Sequence, residues 1–185
     1  MAFLRDRRRD ARNRYRVLPV KQVEISVRGN FEIRLFESEA EKELTARRVL
    51  EALPEWFGIP EAREEYIKNS AAKPFLAALD GEKTVGFLYL NETGSATVEL
   101  HCMGVLKEYH RSGIGRELVE NAKQLASEMG YAFMQVKTVQ SGFYEEYDRT
   151  NEFYRACGFL EFEVIPELWG EKNPCQIYVL HLGGA

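Results

Sequence analysis

The sequence predicts a mixed α/β (α+β) domain: a mostly antiparallel sheet of about six or seven strands flanked by about four helices. Three observations predict it. From residue 31 onward, stretches of period-two alternation and stretches with a 3.6-residue apolar stripe follow one another in the order β-α-α-β-β-β-α-β-α-β-β, without an internal repeat. Turn signals at Asp80-Gly81 and Asn91-Glu-Thr-Gly94 string three consecutive strands into a meander. A strand-like segment then runs through Gly113-Ile114-Gly115 into an amphipathic helix. With 185 residues and 45% hydrophobic content, the chain suffices for one substantial core and is too short for two ordinary domains.

Each element has its own local cause. Phe31-Glu-Ile-Arg-Leu-Phe36 alternates and reads as a strand. Ser38 caps the next helix, with Glu41 three residues later as its capping-box partner, and Pro54 stops that helix near Leu53. A second helix starts near Pro60 and ends before Pro74. Strands follow at 75–79, 85–90 and 97–106. The helix after the glycine turn lines up Leu118, Ala122, Leu125 and Met129, with Gly130 as its cap. A strand over 132–139, a short helix over 147–157 closed by Gly158, and strands at 160–165 and 176–182 complete the order.

Composition narrows the function classes. Seven arginines lie within the first 16 residues against Asp6 and Asp10, although the whole chain carries a net charge of −4. Residues 1–30 are therefore read as an Arg-rich extension, flexible at least to residue 16, and residues 31–185 as the domain. The acidic body speaks against nucleic acid and for a cationic amine partner. No run of about 18 apolar residues spans a membrane and no secretory signal is present, so the expectation is a cytoplasmic protein without a membrane partner. Cys102, Cys157 and Cys175 are too irregularly spaced for a disulfide framework or a metal site, and read as small buried apolar residues.

The glycine-spaced turn supplies a phosphate cradle. The first N–H groups of a helix lack internal partners and carry the positive end of its dipole. Gly113 and Gly115 present no Cβ to an approaching ligand, and Arg111 and Arg116 add positive charge. The segment His110-Arg111-Ser112-Gly113-Ile114-Gly115 resembles the Gln/Arg-x-x-Gly-x-Gly/Ala motif of the GNAT superfamily of N-acetyltransferases, with His110 in place of the leading Gln or Arg. About forty residues on, Phe153-Tyr154-Arg-Ala-Cys-Gly158-Phe159 matches the aromatic-Tyr-x-x-x-Gly-Phe signature of the same family. The predicted element order over about residues 31 to 182 is also the family's. The strand-like segment 17–29 lies outside the resemblance.

The resemblance implies a single GNAT domain that uses acetyl-CoA as co-substrate, with no metal. It implies that His110 to Arg116 hold the pyrophosphate, mainly through main-chain N–H groups, and that the main chain at Met103 and Val105 contacts pantetheine and the acetyl carbonyl. Tyr154 is then the general acid that protonates the departing CoA thiolate. Tyr147 occupies the position where the family commonly has a pantetheine-binding Asn, and it shares a helix face with Tyr154.

Along strand 97–106, alternation puts Thr97, Glu99, His101, Met103 and Val105 on one face and Val98, Leu100 and Cys102 on the other. Glu99 lies fourteen residues before Gly113, where the histone-acetylating branch of the family carries its general base. A base is needed because an amine is mostly protonated at pH 7 and only its neutral form attacks a thioester. His101 is the competing base, its ordinary pKa being near neutrality. A bulge in this strand would change the alternation.

Acceptor choice falls to Glu55, Trp56 and Phe57 between the first two helices and to Trp169 before the last strand. The three rings offer an apolar wall and Glu55 an attraction for an ammonium. The expected function is acetyl transfer to a primary amine, a small metabolite, by direct attack in a ternary complex. The alternatives are a non-catalytic acyl-CoA-binding module and a protein lysine or N-terminal acetyltransferase. Homodimers are common in the family, and nothing in the sequence marks an interface.

Overall fold

The computed structural model describes residues 31–170 and 172–183; the Arg-rich extension and the strand-like segment 17–29 lie outside the described residues. The elements are β1 (Glu32–Phe36), α1 (Glu39–Glu51), α2 (Pro60–Ser70), β2 (Phe75–Asp80), β3 (Lys83–Gly94), β4 (Thr97–Val105), α3 (Ile114–Glu128), β5 (Phe133–Val139), α4 (Glu145–Ala156), β6 (Leu160–Ile165) and β7 (Cys175–His181). They follow the predicted order. The caps are local: the Glu41 N–H donates to Ser38 Oγ at 3.4 Å at the start of α1, and Pro60 opens α2. Gly130 ends α3 at φ 87°, with the Tyr131 N–H returning to the Ala126 carbonyl and the Gly130 N–H to that of Ser127.

The strands form one seven-stranded sheet in the order β1-β2-β3-β4-β5-β7-β6, antiparallel throughout except for the parallel β4–β5 pair. Each face of the sheet has its own core. On one, Leu118, Val119, Ala122 and Leu125 of α3 and Tyr154 of α4 pack on Leu88, Leu90, Val98, Leu100 and Val136. On the other, Val49 and Leu50 of α1 and Ile67 of α2 cover Phe75, Phe87, Tyr89 and Cys102. At ~25 cal/mol per Å2 of apolar area removed from water, these two layers supply the main driving force for folding. Cys102, Cys157 and Cys175 are free and buried, each thiol pushed up by burial.

Two expectations are corrected. Asn91-Glu-Thr-Gly94 is not a turn: β3 runs through it to Gly94, pairing Asn91 with Glu99 and Glu92 with Val98. Cross-strand pairing outweighs the turn preference of Asn and Gly. The simple alternation of β4 also fails. Tyr89 pairs with Cys102 but Leu90 with Leu100, so His101 is an extra, bulged residue. The bulge reverses the phase: Met103 and Val105 pack with Leu100 on the α3 face, while Cys102 joins the α1/α2 face.

Candidate active site

The strand leading to the glycine turn does not enter α3 directly. A turn of 3-10 helix over Lys107–Tyr109 intervenes, and the chain then passes through Arg111 at φ 65° and Gly113 at φ 96°. Two nearby residues in the left-handed region curl the main chain so that its N–H groups converge. The first bond of α3 is donated by the Glu117 N–H to the Gly113 carbonyl, so the N–H groups of Ile114, Gly115 and Arg116 precede the intrahelical ladder. Ser112 Oγ donates to the Tyr109 carbonyl at 2.6 Å, and His110 Nε2 lies 2.8 Å from the Val105 carbonyl, which ties the turn to the end of β4. Side chains of Arg111 and Arg116 flank it. This donor set suits a pyrophosphate.

The two glycines do different work. A Cβ on Gly113 would meet nothing within 4 Å; there the requirement is the positive φ and the open side of the turn. A Cβ on Gly115 would lie 3.2 Å from Met103 Cε and 3.3 Å from the Phe153 ring. Gly115 therefore lets α3 approach β4 and α4, a role that the motif alone does not reveal. Ile114 is 1% exposed, its side chain in the core and its main chain in the turn.

Beside this turn the sheet forks. β4 pairs with β5 only from Thr97 to Leu100, yet continues against β3 as far as Val105. The Leu106 N–H donates across to Val85, and successive N–H groups of a strand point to opposite edges, so those of Val105 and Met103 turn toward the gap. They are positioned to hydrogen-bond an extended ligand, or an oxyanion, lying in the fork.

Tyr154 of α4 belongs to the core cluster against which Met103 and Val105 pack. It is 8% exposed and packs against Phe153, Phe159 and Tyr178, with ring centroids 5.4, 5.8 and 6.3 Å away. Burial pushes the phenol well above its ordinary pKa, reinforced by Cys102, Cys157, Tyr147 and Tyr66, so it keeps its proton at neutral pH. The Tyr-x-x-x-Gly-Phe spacing has a physical cause. Gly158 closes α4 at φ 91°, the Phe159 N–H returns to the Tyr154 carbonyl at 3.1 Å, and Phe159 packs on Tyr154.

Tyr147 does not present a free polar group to the fork. Its hydroxyl donates to the Trp56 carbonyl at 3.2 Å. The buried amide on this helix is Asn151, which the sequence reading missed: its Nδ2 donates to Val139 at 2.8 Å and to Tyr147 at 2.6 Å, and its Oδ1 accepts from Tyr178 at 2.7 Å. Three residues before Tyr154 on the same helix face, Asn151 fastens α4 to the end of β5 and the middle of β7. Its signal was a lone amide on an otherwise apolar stripe.

Glu99 is 5% exposed and accepts from Lys137 Nζ of β5 at 3.0 Å, with His101 Nδ1 3.6 Å away. Burial raises its pKa, but the His101 and Lys137 contacts outweigh that and hold the carboxyl below its usual range. His101 sits between Tyr66 of α2 and Tyr89 of β3, with ring centroids 5.6 and 5.5 Å away. Lys137 and Tyr66 were invisible to the sequence reading, because only the sheet order and the packing of α2 bring them to β4.

Of the acceptor candidates, Trp56 packs toward α4 and His110, and Phe57 toward α2. Trp56 Nε1 donates to Thr150 Oγ1 of α4 at 3.2 Å and its ring meets His110 edge-on at 6.1 Å, so it joins the α1–α2 connection to α4 and to the phosphate turn. Phe57 packs edge-on against Tyr66 at 5.9 Å. Glu55 is ion-paired with Lys107, which holds its carboxyl below the usual range. Trp169 is 40% exposed between β6 and β7, and no ring pair among the described residues joins it to Trp56. No helix among the described residues is long and apolar enough to cross a membrane.

The sequence matches the model of the Acetyltransferase (GNAT) family over residues 38–159. Curated proteins offer no match to the chain. Solved structures share its fold. A GNAT-family protein from Desulfovibrio desulfuricans is 20% identical with a TM-score of 0.71, covering 83% of this chain and 99% of its own. Aminoglycoside 6′-acetyltransferase type Ii is 20% identical with a TM-score of 0.68, covering 83% and 98%. A GNAT-family acetyltransferase from Elizabethkingia anophelis, solved with acetyl-CoA bound, is 14% identical with a TM-score of 0.66, covering 83% and 99%.

Proposed function

Because the chain belongs to the acetyltransferase (GNAT) family, we propose that it transfers the acetyl group of acetyl-CoA to a primary amine of a small metabolite, by direct attack in a ternary complex. The observation that carries this reading is the meeting of three features at one fork: the main-chain cradle of residues 110–116, the inward N–H groups of Met103 and Val105, and the buried, protonated Tyr154.

In this reading the cradle holds the pyrophosphate and the fork holds the pantetheine arm, as solved GNAT relatives bind acetyl-CoA or CoA. The N–H groups of Met103 and Val105 stabilise the negative charge that develops on the thioester oxygen. Tyr154 gives its proton to the sulfur as the C–S bond breaks, a role that its raised pKa suits, since a phenolate could not serve. The proton that the amine must lose goes to the Glu99–His101 pair. Trp56, Phe57 and Tyr66 wall the acceptor side, and Tyr66 and Phe57 offer ring faces to an ammonium. An enclosed aromatic wall favours a small amine over a broad peptide surface.

Thiol release from acetyl-CoA with spermidine, kanamycin, lysine, tyramine and a lysine peptide tests the reading. Release that depends on a small amine is the expected result. Release with the lysine peptide alone would redirect the acceptor to protein, and acetyl-CoA binding without release in any mixture would favour a binding module.

A further inference from the structure

We infer that His101 is the group that takes the acceptor's proton, with Glu99 as the residue that positions its ring and Lys137 as the counter-ion that keeps Glu99 from serving as the base itself. The inference rests on the acetyl-transfer reading and deepens it.

Geometry separates the two candidates. Glu99 is 5% exposed and already engaged by Lys137 at 3.0 Å; a carboxylate neutralised by a lysine is a poor proton acceptor and is closed to an incoming amine. His101 occupies the bulge at the point where β4 leaves β5, with no register partner on either neighbouring strand. Its side chain keeps 27% of its exposure. Its Nδ1, by contrast, is buried, has no full hydrogen bond, and faces Glu99 Oε2 at 3.6 Å. A proton on Nδ1 directed at that carboxylate leaves the Nε2 lone pair for the fork, and no hydrogen bond among the described residues engages Nε2. At about 3.3 Å per strand residue, the inward N–H groups of Met103 and Val105 lie about 7 and 13 Å further along the fork. The amine thus meets the base on one side and the acyl carbon on the other.

The groups in contact with the imidazole are Glu99 on β4, Tyr89 on β3 and Tyr66 on α2, and Lys137 on β5 holds Glu99 from its other side; Glu65, Cys102 and Tyr147 act on Tyr66 behind them. Among them Glu99 is the anion closest to Nδ1 and Lys137 the cation that competes for it. The proton balance closes. The ammonium gives one proton to Nε2, and the free amine attacks the thioester carbon as the C–N bond forms. The C–S bond breaks and sulfur leaves with its electron pair, taking the Tyr154 proton. The excess N–H proton restores the phenol and the imidazolium releases its own to water. An ammonium and acetyl-CoA give an amide, CoA thiol and one proton.

The test combines kinetics with the imidazole tautomer read by 15N NMR, where three histidines make assignment by single substitution direct. With the most active of spermidine, kanamycin, lysine and tyramine, His101→Ala is expected to lower kcat/KM about 100-fold at pH 7 while leaving acetyl-CoA affinity within about twofold. Added imidazole restores part of the rate, and the gap narrows toward pH 10, where a substantial share of the amine is neutral without help. In the neutral imidazole the 15N shifts place the proton on Nδ1; Glu99→Gln moves it toward Nε2, while Lys137→Met leaves it on Nδ1. A His101→Ala rate equal to wild type at pH 7, a gap that persists undiminished at pH 10, or an imidazole tautomer indifferent to Glu99→Gln overturns the assignment. A wild-type protein that releases no thiol with any of the four amines overturns the acetyl-transfer reading instead, and the NMR pair then decides the Glu99–His101 coupling by itself.

Discussion

Alanine at Gly113 and alanine at Gly115 should fail in opposite ways. At Gly113 the φ of 96° is unfavourable for any residue with a Cβ by about 1–2 kcal/mol, although the Cβ itself would meet nothing within 4 Å. In a domain of this size that lowers Tm by roughly 2–8 °C. In the proposed function the open side of this turn takes the pyrophosphate, so the same Cβ would take ligand space, and acetyl-CoA affinity should fall by tenfold or more, about 1.4 kcal/mol. At Gly115 the new Cβ meets Met103 Cε at 3.2 Å and Phe153 at 3.3 Å. Overpacking of that kind costs about 1–3 kcal/mol, offset by about 1 kcal/mol of helix propensity, and the flexible Met103 tip can yield. The net effect is about 0–2 kcal/mol of stability, with affinity within about threefold of wild type. Thermal melts and calorimetric titration with acetyl-CoA read both quantities. If Gly115→Ala loses affinity and Gly113→Ala keeps it, the division of labour between the two glycines is wrong.

Other expectations follow from the same contacts. Asn151→Leu strips the buried partners from the Val139 carbonyl and the Tyr178 hydroxyl and should cost about 2–4 kcal/mol by urea denaturation; a loss under 1 kcal/mol would mean that α4 is held by other means. The Glu99 carboxyl has a folded pKa below its ordinary value of 4.5, so its stabilisation is present above pH ~4.5 and fades as the pH falls through the folded pKa. The stability gap between wild type and Glu99→Gln should therefore narrow in acid, and a gap that is constant from pH 7 to pH 3 would contradict the ion pair with Lys137.

The element order was legible because its cues are local. Ser38, Pro60, Gly130 and Gly158 mark helix ends by backbone chemistry that no distant contact needs to supply, and the stripe of α3 carries its own period. The glycine turn at the start of α3 and the Tyr154–Gly158–Phe159 cap of α4 were legible for the same reason. What escaped depends on pairing. The bulge at His101 has no periodic signature, so the face assigned to Met103 and Val105 was reversed. The extension of β3 through Asn91–Gly94 is decided by β4 rather than by Asn and Gly. Lys137 meets Glu99 only through the parallel β4–β5 register, in which Glu99 pairs with Gln135, and Asn151 matters only because the end of β5 and Tyr178 of β7 lie beside it.

The most direct test of the account is the rate of amine-dependent thiol release by Tyr154→Phe against wild type, with acetyl-CoA affinity measured on both. No hydrogen bond among the described residues engages the Tyr154 hydroxyl, and phenylalanine keeps the ring contacts with Phe153, Phe159 and Tyr178, so fold and affinity should be retained. The account predicts a kcat lowered by about 10²–10⁴-fold, equivalent to about 3–5 kcal/mol of barrier, at unchanged affinity. A Tyr154→Phe protein that turns over within about threefold of wild type would contradict the role of Tyr154 as the proton donor to sulfur.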